Sequence, residues 1–295
     1  MLRGFHPNQT KREDIVKKSP GALLREAVRG ATIQVPGAPF ALAARLAERE
    51  GYSAVYLSGA ALSAATLAVP DVGVFTLDDL VSQTKRFCRA TPLPVLVDAD
   101  TGFDDVARCV AALESAGAAA LQLEDQAFPK RCGHLEGKSL ITTEQMCEKI
   151  AGAAAARQDG DLVLIARTDA RGTDDLDTAI ERARRYLEAG ADWIFPEALQ
   201  NKEEFERFAD EIDAPLLANM TEFGAGPLLT LDELAEIGFA VVLYPVTLLR
   251  IAMKAMEAAL GVIGDEGSQQ ELLDLMQTRS ELYDLLDYDP ETFKA

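Results

Sequence analysis

The sequence predicts an α/β fold, a (β/α)8 TIM barrel, on three observations. Short apolar runs alternate with amphipathic helical segments along most of the 295 residues; these runs number eight; and nearly all of them end in polar or acidic residues. Eight is the number of parallel strands that closes a barrel, and barrels of this kind gather their chemistry at the carboxyl ends of the strands. Neither a Gly-rich dinucleotide fingerprint nor a phosphate-binding loop is present, which argues against a doubly wound nucleotide fold. No low-complexity linker divides the chain, so one catalytic domain over 1–295 is expected, with a C-terminal helical extension from about 265 to 295.

In chain order, Ser19-Pro20 reads as a cap followed by proline in the first turn of an extra N-terminal helix. The eight strand candidates are 31–35, 54–57, 95–97, 119–123, 162–166, 193–195, 215–218 and 241–244. Between them, Thr76 opens a helix with Asp79 at its third position, a capping pair. The segment 104–116 has an apolar face and stops at Gly117, the residue type suited to a left-handed cap. The same pattern recurs over 174–189 before Gly190, and over 230–237, where Thr230 and Glu233 form a second capping pair and Gly238 ends the helix. A last helical stretch, from about 269 to 286, carries Leu272, Leu273, Leu275, Met276, Leu282, Leu285 and Leu286, which suggests a helix in need of a partner.

Composition excludes several functions. A net charge of -19 disfavours nucleic-acid binding, which needs basic patches against phosphates. No stretch approaches the ~18 apolar residues of a membrane helix, and residues 1–18 are polar with no secretory apolar core, so a cytoplasmic location is expected. Cys88, Cys109, Cys132 and Cys147 are scattered without metal or disulfide spacing. Cys88 and Cys109 read as core, Cys147 has no polar constellation beside it, and His6 reads as an inert tail residue.

The strand ends carry the chemistry. Strand two runs into Ser58-Gly59, strand three into Asp98-Ala99-Asp100, strand four into Glu124-Asp125, strand five into Arg167-Thr168-Asp169, strand six into Glu197, and strand seven into Asn219-Met220-Thr221. Asp98 and Asp100 point the same way if extended geometry persists. With Glu124 and with Asp71 from the loop after strand two they form an all-oxygen set suited to Mg²⁺ or Mn²⁺, whereas Asp104 and Asp105 read as helix caps. In the loop after strand four, Lys130, Arg131 and His134 surround Cys132, an environment that favours a thiolate near neutral pH.

At this loop the chain resembles a known family. KRCGH at 130–134 is similar to the signature of the isocitrate lyase/phosphoenolpyruvate mutase superfamily, above all its methylisocitrate lyase branch. YLSG at 56–59, PDVG at 70–73, LVDADTGF at 96–103, LEDQ at 123–126, ARTDA at 166–170, FPEA at 195–198, NMTEFG at 219–224 and MQTRSELY at 276–283 resemble family blocks in the same order.

The resemblance implies Mg²⁺-dependent, retro-aldol-type cleavage of 2-methylisocitrate, a small tricarboxylate, to pyruvate and succinate. Cleavage of isocitrate and an oxaloacetate decarboxylase-like reaction are the alternatives. Phe195 and Leu243 stand where isocitrate lyases tend to have Trp and a polar residue, which implies a pocket suited to an extra methyl; Ala60 departs from the glycine often found there. Cys132 is then the implied general acid, poised by His134, and Tyr56 or Glu197 would assist removal of the hydroxyl proton. Ser58, Gly59, Ala60, Lys130, Arg131, Gly133, Arg167, Asn219 and Thr221 would line the substrate site, with Arg250 and Arg279 carried over from family motifs. The same resemblance implies a homotetramer, a dimer of dimers, with the C-terminal helix exchanged between subunits.

Overall fold

The structure, a computed structural model, describes residues 18–131, 133, 137–289 and 291. Helix α1 (Pro20–Ala27) opens as predicted, with Ser19 Oγ accepting the Ala22 N–H at 3.3 Å and proline in the first turn. There follow β1 (Ile33–Pro36), α2 (Ala41–Arg49), β2 (Val55–Leu57), and α3 (Gly59–Leu62) running into a π-helical turn at Ser63–Leu67. Next come α4 (Leu77–Ala90), β3 (Val95–Asp98), α5 (Val106–Ala116), β4 (Ala120–Glu124), α6 (Thr143–Ala156) and β5 (Val163–Thr168). The chain continues through α7 (Ala170–Thr173), α8 (Leu176–Glu188), β6 (Trp193–Pro196), α9 (Lys202–Glu211), β7 (Leu217–Asn219), α10 (Leu231–Ile237) and β8 (Val241–Tyr244). It ends in α11 (Thr247–Glu266), a 3₁₀ segment (Gln270–Leu275) and α12 (Arg279–Leu285).

All strand pairs are parallel. One sheet runs β2-β3-β4-β5-β6 and the other β1-β8-β7; bridges between Gly37 and Tyr56 and between Ile194 and Leu216 join them into a closed eight-stranded ring. The predicted barrel is therefore present, each strand within two residues of its expected limits. Alternation along the strands sends Tyr56, Leu96, Ile165, Trp193, Phe195 and Leu243 into the barrel interior. Leu57, Val97, Leu121, Leu164 and Ile194 face the helices, where they meet Leu80, Phe87, Leu113 and Tyr186. Both faces are thus buried, which is why these strands read as continuous apolar runs. Register then sets the site: Asp98 lies opposite Gln122, Glu124 opposite Arg167, and Arg167 opposite Phe195.

The C-terminal part differs from expectation. The stretch from 269 to 286 is two pieces, because Met276 is extended and Thr278 caps a new helix through a reciprocal pair with Glu281. Leu272 and Leu285 are buried, and α12 packs against α2 of the same chain. The long unpacked helix is instead α11: none of its 20 residues is buried, and Ile251, Met253, Met256, Leu260 and Ile263 are exposed. No described helix is long and apolar enough to cross a membrane.

Candidate active site

The carboxyl ends of β2 to β7 converge on one buried polar cluster. At β2, Ser58 Oγ caps α3 by accepting the Ala61 N–H, and Ala60 sits half-buried in that short helix. The first amide of α3, Gly59 N–H, donates to Asp98 Oδ2 at 3.1 Å. A Cβ at Gly59 would lie 3.2 Å from carboxylate oxygens of both Asp98 and Asp100, so the close approach favours glycine there. Asp98 Oδ1 accepts from Gln122 Nε2 at 3.0 Å and from the Asp100 N–H at 3.2 Å.

Asp98 and Asp100 do come together, but by a different route from the one expected. The strand ends at Asp98, and Asp100 adopts φ 49°, the left-handed region that costs a residue with a Cβ. That local reversal, held by the Asp98 side chain, turns the second carboxylate back over the first. Oxygens of Asp98, Asp100 and Glu124 lie within 4.8 Å of one another, and the three residues are 6%, 5% and 1% exposed.

Lys130 reaches into this cluster, pairing with Asp100 Oδ1 and with Asp71 Oδ1 at 2.8 Å. Burial pushes the Asp100 carboxyl up to about 7, with Asp98 and Asp71 adding to the rise and Lys130 opposing it. Burial likewise raises Glu124 well above the carboxylate range, against the pull of Arg167 and Lys130. Glu124 Oε1 is buried with no hydrogen-bond partner among the described residues. An orphaned carboxylate oxygen beside two converging carboxylates fits a hard divalent cation, because all donors are oxygen.

Across the barrel mouth, Arg167 faces three carboxylates. Its Nε lies 3.0 Å from Asp169 Oδ2 and 3.6 Å from Glu197 Oε2, and its Nη1 lies 3.4 Å from Glu124 Oε2. Burial would lower its pKa, but Asp169, Glu197 and Glu124 together raise it, so the guanidinium stays charged. The Phe195 ring stacks beneath it at 5.4 Å. Asn219 Nδ2 donates to Glu197 Oε1 at 3.3 Å and Oε2 at 3.2 Å. Tyr56 O–H donates to Gln122 Oε1 at 2.5 Å, and burial, followed by the Asp98 charge, raises its pKa well above the usual phenol value. Beside Asp100 and Lys130 a cavity of about 540 Å³ opens outward past Phe75, Phe103 and Phe128.

This architecture has known counterparts. A family model described as phosphoenolpyruvate phosphomutase matches residues 27–263. The chain belongs to the phosphoenolpyruvate phosphomutase family. It is 50% identical over 273 residues to a 2-methylisocitrate lyase of Aeropyrum pernix, an alignment covering 91% of this chain and 88% of that protein. It is 51% identical over 262 residues to a 2-methylisocitrate lyase of Halalkalibacterium halodurans, covering 88% and 86%. Among solved structures, a 2,3-dimethylmalate lyase described as a PEP mutase/isocitrate lyase superfamily member matches with a TM-score of 0.86, at 34% identity and 92% coverage of both chains.

On this family scaffold the structure brings together Tyr56, Ser58, Gly59, Ala60, Asp71, Asp98, Asp100, Glu124, Lys130, Arg167, Phe195, Glu197 and Asn219 around the barrel mouth. Gly133 joins them, since a Cβ there would lie 2.1 Å from Arg167 Nη2 and 2.7 Å from Glu197. Thr221 lines a small recess beside Asn219, and Leu243 is buried in the barrel interior. Arg131 is exposed, its backbone clasped by the Gln126 side chain through bonds of 2.9 Å in both directions.

Two expected residues are not brought in. Arg250 stands on the rim, 47% exposed, 3.7 Å from Glu222 and over the Phe223 ring. Arg279 opens α12, exposed, on the helix that packs against α2 outside the barrel. Cys132, His134 and His6 lie outside the described residues.

Sequence reasoning missed Gln122 and Lys138. Gln122, 1% exposed, links Tyr56 to Asp98, and its signal was its place two residues before Glu124 on the same face of β4. Lys138, with a side chain 1% exposed, pairs with Asp169 at 2.9 Å, and no local pattern marked it.

Proposed function

We propose that the chain is a divalent-metal-dependent carbon–carbon lyase that cleaves 2-methylisocitrate to pyruvate and succinate. The observation that carries this is about half identity to named 2-methylisocitrate lyases over nine-tenths of the chain, together with the converging Asp98, Asp100 and Glu124. These three, with Asp71 beside them, would hold Mg²⁺ or Mn²⁺. Once bound, the cation supplies Lewis-acid stabilisation of the negative charge that develops on the substrate oxygens.

The rest is work for the chain's own groups. The substrate hydroxyl must lose its proton as the adjacent C–C bond breaks and its carbon becomes the pyruvate carbonyl. What favours Glu197 over Tyr56 for that proton is that Tyr56 is held protonated and already donates to Gln122. The electron pair stays on the departing succinate carbon, which takes a proton from Cys132, the acid implied by the likeness of KRCGH at 130–134 to the family signature, with His134 two residues on in the same motif. Arg167 grips a substrate carboxylate with its planar fork. Ser58, Gly59, Ala60, Lys130, Arg131, Gly133, Asn219 and Thr221 complete the lining, and Phe195 with Leu243 takes the methyl group.

The chain acts as one catalytic domain in the cytoplasm and assembles as a homotetramer, a dimer of dimers. Support for assembly comes from α11, whose apolar residues find no cover among the described residues. Subunit exchange of the C-terminal helices would also give Arg250 and Arg279 a place beside a partner's site. Light scattering on the purified protein tests this; a monomer would contradict it. The function itself is tested by keto-acid release from 2-methylisocitrate, isocitrate and oxaloacetate, each with Mg²⁺. Preference for the methylated substrate supports the proposal. Preference for either of the others would overturn the substrate assignment.

A further inference from the structure

Lys138 has no part in the chemistry above, yet its ammonium is deeply enclosed. It donates to Asp169 Oδ1 at 2.9 Å and to the backbone carbonyl of Gly133. Asp169 also holds Arg167, accepting Nε on Oδ2 at 3.0 Å and Nη2 at 3.1 Å on Oδ1, the oxygen shared with Lys138. Asp169 cannot easily drift, because its own N–H donates to the buried Asp125 at 2.9 Å. Two glycines leave room for the arrangement. A Cβ at Gly133 would strike Arg167, and a Cβ at Gly172 would lie 2.9 Å from Lys138 Nζ.

Arg167 is shared among Asp169, Glu197 and Glu124, so Lys138 gives Asp169 a second charged donor that Arg167 alone does not supply. The Gly133 carbonyl belongs to a buried residue, and the Lys138 ammonium satisfies it. What Lys138 adds is a rigid link between two parts of the site that are far apart in sequence.

We propose that Lys138 is a positioning residue: through Asp169 it sets the Arg167 fork, and through the Gly133 carbonyl it holds the Gly133 backbone against that fork. One buried cation thereby keeps the anion grip and the glycine packed against it in register. This rests on the lyase reading of the site, and on the general point that misplacing a reacting group by an ångström costs about 10²-fold in rate.

The test uses the full-length protein carrying Lys138→Met, which removes the ammonium and keeps most of the volume. An arginine-specific protease reads the tether without reference to activity, because Arg131 is exposed and lies two residues before Gly133. Cleavage after Arg131 should accelerate about tenfold, as local opening becomes easier. Turnover of 2-methylisocitrate should fall by about tenfold or more and KM should rise, because Arg167 and the Gly133 backbone lose their alignment. Calorimetric Mg²⁺ affinity should stay at the wild-type value, which a general loss of structure would not permit.

Gly172→Ala is the second variant, pushing only the tip of Lys138, and should show the same changes at smaller size. It decides the matter if Lys138→Met does not fold. Wild-type cleavage after Arg131 and wild-type turnover in the folded variants would overturn the proposal, as would a matching loss of Mg²⁺ affinity. Faster cleavage in a protein whose wild type turns over none of the candidate substrates would keep the tether and remove the lyase reading.

Discussion

The two sides of the barrel mouth are built on opposite electrostatic plans. On the β3–β4 side, Asp98, Asp100 and Glu124 crowd together with Asp71 around the single ammonium of Lys130, and Glu124 Oε1 has no partner among the described residues. On the β5–β7 side, the cation Arg167 is ringed by Glu124, Asp169 and Glu197. The first side is short of positive charge, which is why burial lifts its carboxyls. The second side is rich in hydrogen bonds that orient one guanidinium.

Ion pairs in this site join Asp71 and Asp100 to Lys130, Asp169 to Lys138 and Arg167, and Glu124 and Glu197 to Arg167. Burial makes Asp100 and Glu124 hold protons more tightly than free carboxyls do, and a bound cation would favour their charged forms while adding the positive charge that draws a tricarboxylate substrate. From this comparison an order of events is expected, with the cation side filled before the anion side binds substrate.

The largest expected effect lies where the two sides meet the reacting carbon. Cys132→Ser should keep Mg²⁺ and substrate binding but lose about 10²–10⁴-fold in cleavage, the usual contribution of a positioned acid. Steady-state kinetics beside calorimetry reads both, and near-normal turnover would remove the acid role. Next comes the anion side. Arg167→Lys keeps the charge but not the fork, so kcat/KM should drop about 10–100-fold, the worth of a charge-assisted hydrogen bond, with Mg²⁺ affinity little changed. Equal losses of both affinities would show that the two sides are not separable.

A smaller effect concerns pH. The Asp100 carboxyl, raised to about 7, binds a proton that competes with the cation, so Mg²⁺ affinity should rise as pH climbs through about 7 and weaken below it. A flat affinity between pH 6 and 8 would break that link. The smallest effect is in the pocket floor: Leu243→Thr should move preference from 2-methylisocitrate toward isocitrate by about 1–3 kcal/mol, the worth of one methyl contact. Competition assays with both substrates measure it.

Much of this was legible in the sequence for a simple reason. Each strand is buried on both faces, so it appears as an unbroken apolar run, and the first polar residues after it mark the barrel mouth. Asp98, Glu124 and Arg167 were found that way. The turn at Asp100 was not, because a left-handed aspartate leaves no spacing signature, and the convergence expected from extended backbone arises from a reversal. Gln122 was hidden inside a run that reads as apolar. Lys138 meets Asp169 across 31 residues of chain, and such pairing depends on tertiary placement that no local pattern encodes. The C-terminal helical stretch was expected where it lies, but its break was not read, because leucine spacing continues across Met276 while the break there rests on the Thr278 cap.

The most direct test of the account is a calorimetric titration of succinate into the protein with and without Mg²⁺, repeated in Asp100→Asn. The account predicts succinate binding to the wild type only when Mg²⁺ is present, and loss of that binding in the variant. Succinate binding of equal strength without the cation, or unaltered Mg²⁺-dependent binding in Asp100→Asn, would contradict it.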